Sequence, residues 1–218
     1  NIDWESLTQD DSSIYVGDFG NNYGSRKNLR ILKIAKHNLL NPVSDSVEAG
    51  LISFTFADQV DFSPRLNQTN FDCEAFFYCN DSLHLFSKNW ADQQTRHYVI
   101  PAAAGNYRAC LLETFNADGL ITDAAINHKG EIVLLGYKNT GGKFWNCFLW
   151  IFRDAGSNRL AGTKHSRIEL GSALNLGQTE GLAFGEGERI WISSERISHS
   201  WVHLPARLFK VDLSKYLL

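Results

Sequence analysis

Four acidic residues stand at corresponding places in four similar segments of this chain: Glu5, Glu74, Asp123 and Glu180. The segments are Asp3-Trp-Glu-Ser-Leu7, Asp72-Cys-Glu-Ala-Phe76, Thr122-Asp-Ala-Ala-Ile126 and Thr179-Glu-Gly-Leu-Ala183. The acids are 69, 49 and 57 residues apart, as expected for a repeated structural unit with loops of unequal length. If the fold brings the repeats together, these side chains form a ring of carboxylates.

Carboxylates in a confined space repel one another and lose hydration, so they stay ionised only beside cations or hydrogen-bond donors. A hard divalent cation that takes carboxylate and amide oxygens, with calcium the best fit, could neutralise the ring. We expect Asp18 to join the four acids as a metal ligand. Asn21 and Asn22, which follow it in the loop, could add neutral oxygens.

A second set of residues ends the next strand of each repeat: Asp18, Lys88, Tyr137 and Glu195. The residues predicted to contact a ligand are Asn21, Asn22, Lys88, Tyr137, Glu195 and Arg196. The positive charges of Lys88, Arg26 and Arg196 could also balance the acids without a metal. In a further alternative, the acids accept hydrogen bonds from backbone amides of neighbouring repeats and only hold the ring together.

Two other residue types could contribute to a site. His199 and His203 follow Glu195 in a loop, and His199 near an acidic metal site could act as a general base. Loop residues Trp90, Tyr137 and Trp201 could recognise a carbohydrate or a protein surface. The alternatives are solvent-exposed loop histidines and aromatic side chains that pack between repeats.

These residues need a fold that repeats a β-sheet. Each acid is followed by a turn rich in Asn, Asp, Ser or Gly and then by a β-rich run, such as Leu83–Phe86 or Ile132–Leu135. Further strands follow in each repeat, and no long helix is indicated. Four antiparallel strands per repeat predict an all-β fold, a β-propeller in which the innermost strands converge on one axis. A β-sandwich is the alternative, but it does not explain acids that recur in phase with the strands.

The predicted domain is a single β-propeller, 1–218, with blades at approximately 3–57, 72–116, 121–171 and 178–213. The fourth repeat has no outer strand of its own. Propellers remove exposed sheet edges by closing the ring, often with strands from both termini. We therefore expect five blades in the native protein, with an N-terminal blade absent from this chain, or else an irregular closure.

Composition excludes several classes of partner. The chain has 218 residues, with 21 Lys and Arg against 24 Asp and Glu. No basic stripe could follow a phosphate backbone, so nucleic acid is not expected as a partner. No apolar stretch reaches the roughly 18 to 20 residues of a membrane-spanning helix.

The chain is expected to be secreted or periplasmic. It begins at Asn1 and contains no Met, as after processing, and Asn67-Gln-Thr69 and Asn80-Asp-Ser82 match the glycosylation acceptor pattern. The four cysteines lack Cys-x-x-Cys spacing, which argues against a zinc knuckle or a redox pair. Buried free thiols are the simplest expectation for them.

The segment Thr179 to Glu195 resembles the inner hairpin of the gluconolactonase and paraoxonase propeller superfamily. In that family an early Glu in a Glu-Gly context binds a catalytic calcium, which here corresponds to Glu180. Leu182 replaces the proline that often follows the Glu-Gly. The stretch from Asp3 to Glu195 is also similar to a group of secreted bacterial propellers, which implies the fold and export but no activity.

The first functional expectation is a secreted propeller binding module with an acidic axial pocket. That pocket would bind a cation, with calcium as the candidate, and through it a small-molecule, carbohydrate or protein ligand at the channel mouth. The alternative is a calcium-dependent hydrolase of a lactone, ester or phosphoester, in which Glu180 and Glu74 hold the ion and the ion polarises the bond.

Overall fold

The computed structural model describes residues 1–40, 45–139, 145–153, 159–199 and 202–217. They fall into two compact units, Asn1–Thr114 and Phe115–Leu218, which are described separately. In the described part of the chain, no helix is long and apolar enough to cross a membrane.

The first unit contains two antiparallel four-stranded sheets and one short helix. The elements are β1 (Trp4–Gln9), β2 (Ser13–Asp18), β3 (Leu29–Ala35), α1 (Lys36–Leu40), β4 (Gly50–Phe56), β5 (Asp72–Cys79), β6 (Ser82–Lys88), β7 (Thr95–Pro101) and β8 (Gly105–Phe115). The outer strands β4 and β8 pair in parallel, so that all eight strands form one continuous sheet. Inner strand β1 lies beside inner strand β5.

Local sequence explains the sharp β5–β6 hairpin. Its turn residues Asn80 and Asp81 both have positive φ, 48° and 59°, which two-residue hairpin turns require and which Asn and Asp tolerate. The apolar core lies between the two four-stranded sheets. There the rings of Phe19 and Phe76 meet edge to face, with centroids 5.2 Å apart.

The second unit also repeats antiparallel sheets. Its elements are β9 (Leu120–Ile126), β10 (Ile132–Lys138), β11 (Asn146–Arg153), β12 (Lys164–Ser172), α2 (Ala173–Leu176), β13 (Gln178–Phe184), β14 (Arg189–Glu195), β15 (Ile197–His199), β16 (Val202–Leu204) and β17 (Arg207–Asp212). Strands β9 to β12 form one sheet, β13, β14 and β17 form a second, and β15 and β16 form a separate hairpin. Their apolar side chains, among them Leu135, Leu149, Leu182 and Ile190, pack into one core.

Each inner hairpin is irregular in its first strand, at the place where the predicted acids lie. The first facing pairs of the four hairpins are Trp4 and Asp18, Asp72 and Lys88, Leu120 and Tyr137, and Gln178 and Glu195. In the last three hairpins the strand pairing then skips one residue of the first strand: Glu74, Thr122 and Glu180. Such β-bulges re-aim a side chain and are common next to functional sites.

None of the four cysteines, all of which lie in the described ranges, is joined in a disulfide. Cys73 and Cys147 are buried as expected, and burial raises the pKa of both. Cys79 is half-buried, and the expectation is wrong for Cys110, which is exposed. Cys110 lies on outer strand β8, where its side chain faces solvent instead of the core.

Candidate functional site

Five side chains of the first unit form what we call the acid cluster: Asp3, Glu5, Asp72, Glu74 and Lys88. Strand β1 and its leading residue carry two of them, β5 carries two, and Lys88 ends β6. Nζ of Lys88 lies 3.3 Å from Oε1 of Glu74, and both side chains are almost completely buried. Removal of either partner of a buried ion pair strongly destabilises the folded protein, because the other charge is left buried without compensation.

Glu5 holds a proton at neutral pH. Burial, together with the negative charges of Asp3 and Asp72, raises the pKa of its carboxyl from 4.5 to about 8, against the opposing effects of a hydrogen bond to Glu74 and the charge of Lys88. Glu5 is only half-buried. The cluster therefore contains a carboxylic acid that reaches the surface beside a carboxylate paired with Lys88.

Gly20 is the backbone position against which two of these acids lie. A Cβ at Gly20 would collide with Oε1 of Glu5 and with Oδ2 of Asp3. Only glycine therefore allows both carboxyl groups to approach this point. The Gly20 carbonyl in turn accepts a hydrogen bond of 2.6 Å from Nη1 of Arg26, which fixes the loop.

Asp72 is fully buried and links the cluster to its surroundings. It accepts hydrogen bonds from the backbone N–H of Asn21 at 2.6 Å and from Nε1 of Trp90 at 2.8 Å. Burial raises its pKa, and these bonds and the charge of Lys88 oppose that shift. The Lys88 ammonium also lies 5.1 Å from the centre of the Trp90 ring. Trp90 thus contacts both Asp72 and Lys88, and the expectation that it recognises a ligand stays a prediction.

Asp18 is neutralised by protein groups. Its carboxylate accepts hydrogen bonds from the N–H groups of Ile2 and Asp3, and its oxygens lie 3.3 Å from Nη2 of Arg26 and 2.9 Å from Nη2 of Arg30. Burial acts to raise the pKa of Asp18, but these bonds and charges outweigh it and lower the pKa.

The loop residues Asn21 and Asn22, predicted as cation ligands, make hydrogen bonds within the protein. Asn21 donates through Nδ2 to the carbonyl of Phe71 at 2.9 Å, and its Oδ1 accepts from the N–H of Arg26 at 2.9 Å. Asn22 is half-buried, and its backbone carbonyl accepts a hydrogen bond of 2.9 Å from Asn67.

In the second unit, Asp123 joins two inner strands. Its Oδ1 accepts from the N–H of Ala124 at 2.8 Å, and its Oδ2 accepts from the N–H of Leu182 on β13 at 2.5 Å. This matches the alternative in which an acid holds neighbouring repeats together. Glu180 is half-buried and accepts a hydrogen bond of 2.5 Å from Nε2 of Gln178.

The other predicted site residues of this unit differ in burial. Tyr137 is buried, and its ring contacts that of Trp145, with centroids 4.2 Å apart. Glu195 and Arg196 are exposed. His199 ends β15, but its side chain is outside the described residues, as is all of Trp201.

The register corrects the predicted equivalence of the four acids. Counted from the residue that faces the end of the second strand, Glu5 is the next residue, Glu74 and Glu180 are the second, and Asp123 is the third. The equivalent of Glu74 in the third repeat is Thr122. The bulge stands at the same place in the second, third and fourth repeats, so it does not cause the offset. Matching one acid with another in the sequence shifts the third repeat by one residue. By contrast, Asp18, Lys88, Tyr137 and Glu195 do occupy equivalent positions.

Several of the predicted metal ligands already contact protein donors. Within the described ranges, no group of three or more His, Cys, Asp or Glu side chains is placed to hold a metal ion. Calcium prefers 6 to 8 oxygen ligands, whereas Asp18, Asp123 and Glu74 accept bonds from protein donors. The arrangement does not match the predicted ligand set, and the calcium site stays a prediction.

Sequence reasoning missed Asp72 and Asp3 as members of the cluster. In the sequence, Asp72 precedes Glu74 and Asp3 precedes Glu5 by two residues. That shared Asp-x-Glu spacing was the available signal, and only the first two repeats have it.

Comparisons with known proteins show the fold. No protein-family model matches the sequence, and no curated protein matches it significantly. A solved GH43 β-1,3-galactosidase matches 95% of this chain with a TM-score of 0.58 and 10% sequence identity. The xylan β-1,4-xylosidase from Bacillus halodurans C-125 matches 96% of it with a TM-score of 0.59 and 12% identity.

The chain spans 42% and 40% of the lengths of these two solved chains. At such low identity the likeness concerns the fold alone. It supports the β-propeller superfamily without singling out the gluconolactonase and paraoxonase type. The predicted all-β propeller fold is confirmed.

Proposed function

We propose that this chain is a carbohydrate-active propeller that hydrolyses glycosidic bonds, with Glu5 as the proton donor. The observation that carries the proposal is the half-buried carboxyl of Glu5, whose pKa of about 8 leaves it protonated at neutral pH, in a cluster that also contains the buried ion pair of Glu74 and Lys88. Glycoside hydrolysis usually needs a carboxyl group that is protonated at working pH and acts as the general acid. The glycosidases of similar fold favour a glycoside as the substrate class.

Two residues of the cluster, Glu5 and Asp3, and the adjacent Trp4 have roles in this proposal. Glu5 donates its proton to the leaving-group oxygen as the bond between that oxygen and the anomeric carbon breaks. A water molecule then forms the new bond to that carbon and gives a proton back to the carboxylate of Glu5. Asp3, whose carboxylate meets Glu5 at Gly20, offers negative charge to the positive charge that develops on the sugar ring. Trp4 is the neighbour of Glu5 and exposes 56% of its surface, so it offers an aromatic face for a sugar ring.

The test compares leaving groups. Wild-type chain, Glu5→Gln and the control Asp11→Asn are assayed on nitrophenyl and methyl β-galactosides and β-xylosides; Asp11 is an exposed turn residue. A nitrophenolate leaves with little protonation, whereas a methoxide needs a proton donor. Glu5→Gln is therefore expected to lose about 10²- to 10⁴-fold on methyl glycosides, to lose less on nitrophenyl glycosides, and Asp11→Asn to match the wild type.

Two results would overturn the proposal. If glycans bind and are not hydrolysed, the chain is a binding module, as the first expectation from sequence had it. If hydrolysis occurs and Glu5→Gln keeps the wild-type rate on both leaving groups, Glu5 is not the proton donor.

A further inference from the structure

Three titratable side chains outside the acid cluster form a continuous chain of hydrogen bonds across β6, β7 and β8. Nδ1 of His84 lies 2.8 Å from Nε2 of His97, and Nδ1 of His97 lies 2.9 Å from Oε1 of Glu113. The side chain of His97 is fully buried, that of Glu113 is 9% exposed, and His84 is 3% exposed. Neither the proposed hydrolysis nor any sequence pattern uses these groups.

Aromatic stacking fixes the orientation of both imidazole rings. His84 stacks on Phe77 with centroids 5.0 Å apart and planes at 13°. His97 stacks on Phe86 with centroids 4.4 Å apart and planes at 18°. The rings therefore present defined nitrogen atoms to each other. The position of each proton then follows from which atom donates and which accepts in each hydrogen bond.

The carboxylate of Glu113 determines where the protons of the two histidines lie. An ionised carboxylate only accepts hydrogen bonds, so Nδ1 of His97 carries a proton. A neutral imidazole has one N–H, so Nε2 of His97 accepts, and Nδ1 of His84 must donate to it. This leaves a lone pair on Nε2 of His84.

We infer that Glu113, His97 and His84 form a one-proton relay, in which Nε2 of His84 is an acceptor in the neutral state and becomes a donor when the relay takes up a proton. The incoming proton forms an N–H bond at Nε2 of His84. The N–H bond at Nδ1 of His84 breaks, and its proton forms a new N–H bond at Nε2 of His97. The positive charge then rests on His97, beside Glu113.

The surroundings limit the relay to one proton. Burial and then the charge of His97 lower the pKa of His84 from 6.5 to about 4, as expected when a second positive charge would have to enter the same site. By strand alternation, Lys88 on β6, which is paired with Glu74, and Cys79 on β5 are titratable groups on the face of these two strands that carries His84. At the level of His84, β5 and β7 offer only Phe77 and Val99.

The test is ¹⁵N NMR of the histidine side chains, which reports the protonation of each ring nitrogen directly. Above pH 7, His84 is expected as the Nδ1–H form; on acidification, His97 should become doubly protonated while His84 changes to the Nε2–H form. Exposed His128 and His165 are internal controls with no such change of form. In Glu113→Leu the fixed Nδ1–H form of His84 is expected to be lost.

The relay is overturned if His84 carries its proton on Nε2 at pH 8, or if Glu113→Leu leaves the form of His84 unchanged. Should Glu113→Leu fail to fold, the wild-type spectra across pH decide alone, since they contain both the neutral and the protonated state.

Discussion

Nζ of Lys88 lies 3.3 Å from Oε1 of Glu74, and the half-buried carboxyl of Glu5 belongs to the same cluster. Burial and the negative charges of Asp3 and Asp72 raise the pKa of Glu5 to about 8, whereas a hydrogen bond with Glu74 and the charge of Lys88 act to lower it. At neutral pH the carboxyl of Glu5 is therefore protonated, and Lys88 supplies the positive charge beside Glu74. A proton and a lysine thus balance charges that the sequence led us to assign to a divalent cation.

Replacement of Glu5 should change the pH dependence of stability. The folded pKa of Glu5, about 8, lies above its ordinary 4.5, so its contribution is fully present below pH 4.5 and is lost as pH rises through 8. Glu5→Gln mimics the protonated form and should remove this loss, on the order of 2 kcal/mol after discount for solvent. Urea unfolding from pH 5 to pH 9 measures it, with Asp11→Asn as control. Parallel curves for Glu5→Gln and wild type would contradict the assignment.

Loss of Lys88 should leave a buried charge without its partner. Lys88→Met is expected to destabilise the chain by about 3 to 5 kcal/mol, since Glu74 would remain ionised and buried or take up a proton. The double variant Lys88→Met with Glu74→Gln should recover most of this loss. Chemical unfolding at pH 7 measures both. A double variant no more stable than Lys88→Met would show that the ion pair is not the source of the effect.

An added methyl group at Gly20 should displace Glu5 with little cost to the fold. The atoms it would meet are the ends of flexible side chains, Glu5 and Asp3, which can move toward solvent. Gly20→Ala should therefore lower the pKa of Glu5 toward 4.5 and reduce hydrolysis, while the melting temperature changes by only a few degrees. Gly50→Ala, where φ is not positive and an added Cβ has no neighbour closer than 3.6 Å, controls for general loss of glycine. Unchanged titration of Glu5 in Gly20→Ala would contradict the geometry.

The predicted calcium site has its own test. If calcium binds at the acid cluster, it must displace the proton of Glu5, so binding should release protons and be stronger at pH 9 than at pH 6. Thermal melting with millimolar calcium at both values measures this, with Glu5→Gln as the control that cannot release the proton. A calcium effect of equal size at both values would place the ion elsewhere, and no effect at either would show that these acids need no metal.

Strands and turns could be predicted from sequence because their signals are local. The turn at Asn80 and Asp81 and the apolar run of β6 after it are an example. The bulges could not be predicted, since one extra residue in a strand leaves both flanking patterns intact. Asp123 matches Glu74 when acids are aligned with one another in the sequence, but the pairing of the strands shows Thr122 at the position of Glu74.

Partners of the acids could be predicted only as a set of alternatives. Lys88 is one of the cations that the sequence offers to the acids. Its pairing with Glu74 depends on the register that places Lys88 opposite Asp72. The relay of His84, His97 and Glu113 had no sequence signal, because its members are 13 and 16 residues apart and belong to three strands. Polar residues within otherwise apolar strands were the only indication.

The most direct test of the account is the titration of Glu5 itself, followed by ¹³C NMR of its side-chain carboxyl in the folded chain. The account predicts a midpoint near pH 8 for Glu5, so that the carboxyl is protonated at pH 7. A midpoint near 4.5, the value of an ordinary glutamate, would mean that Glu5 is ionised at neutral pH and would remove the proton donor on which the proposed hydrolysis depends.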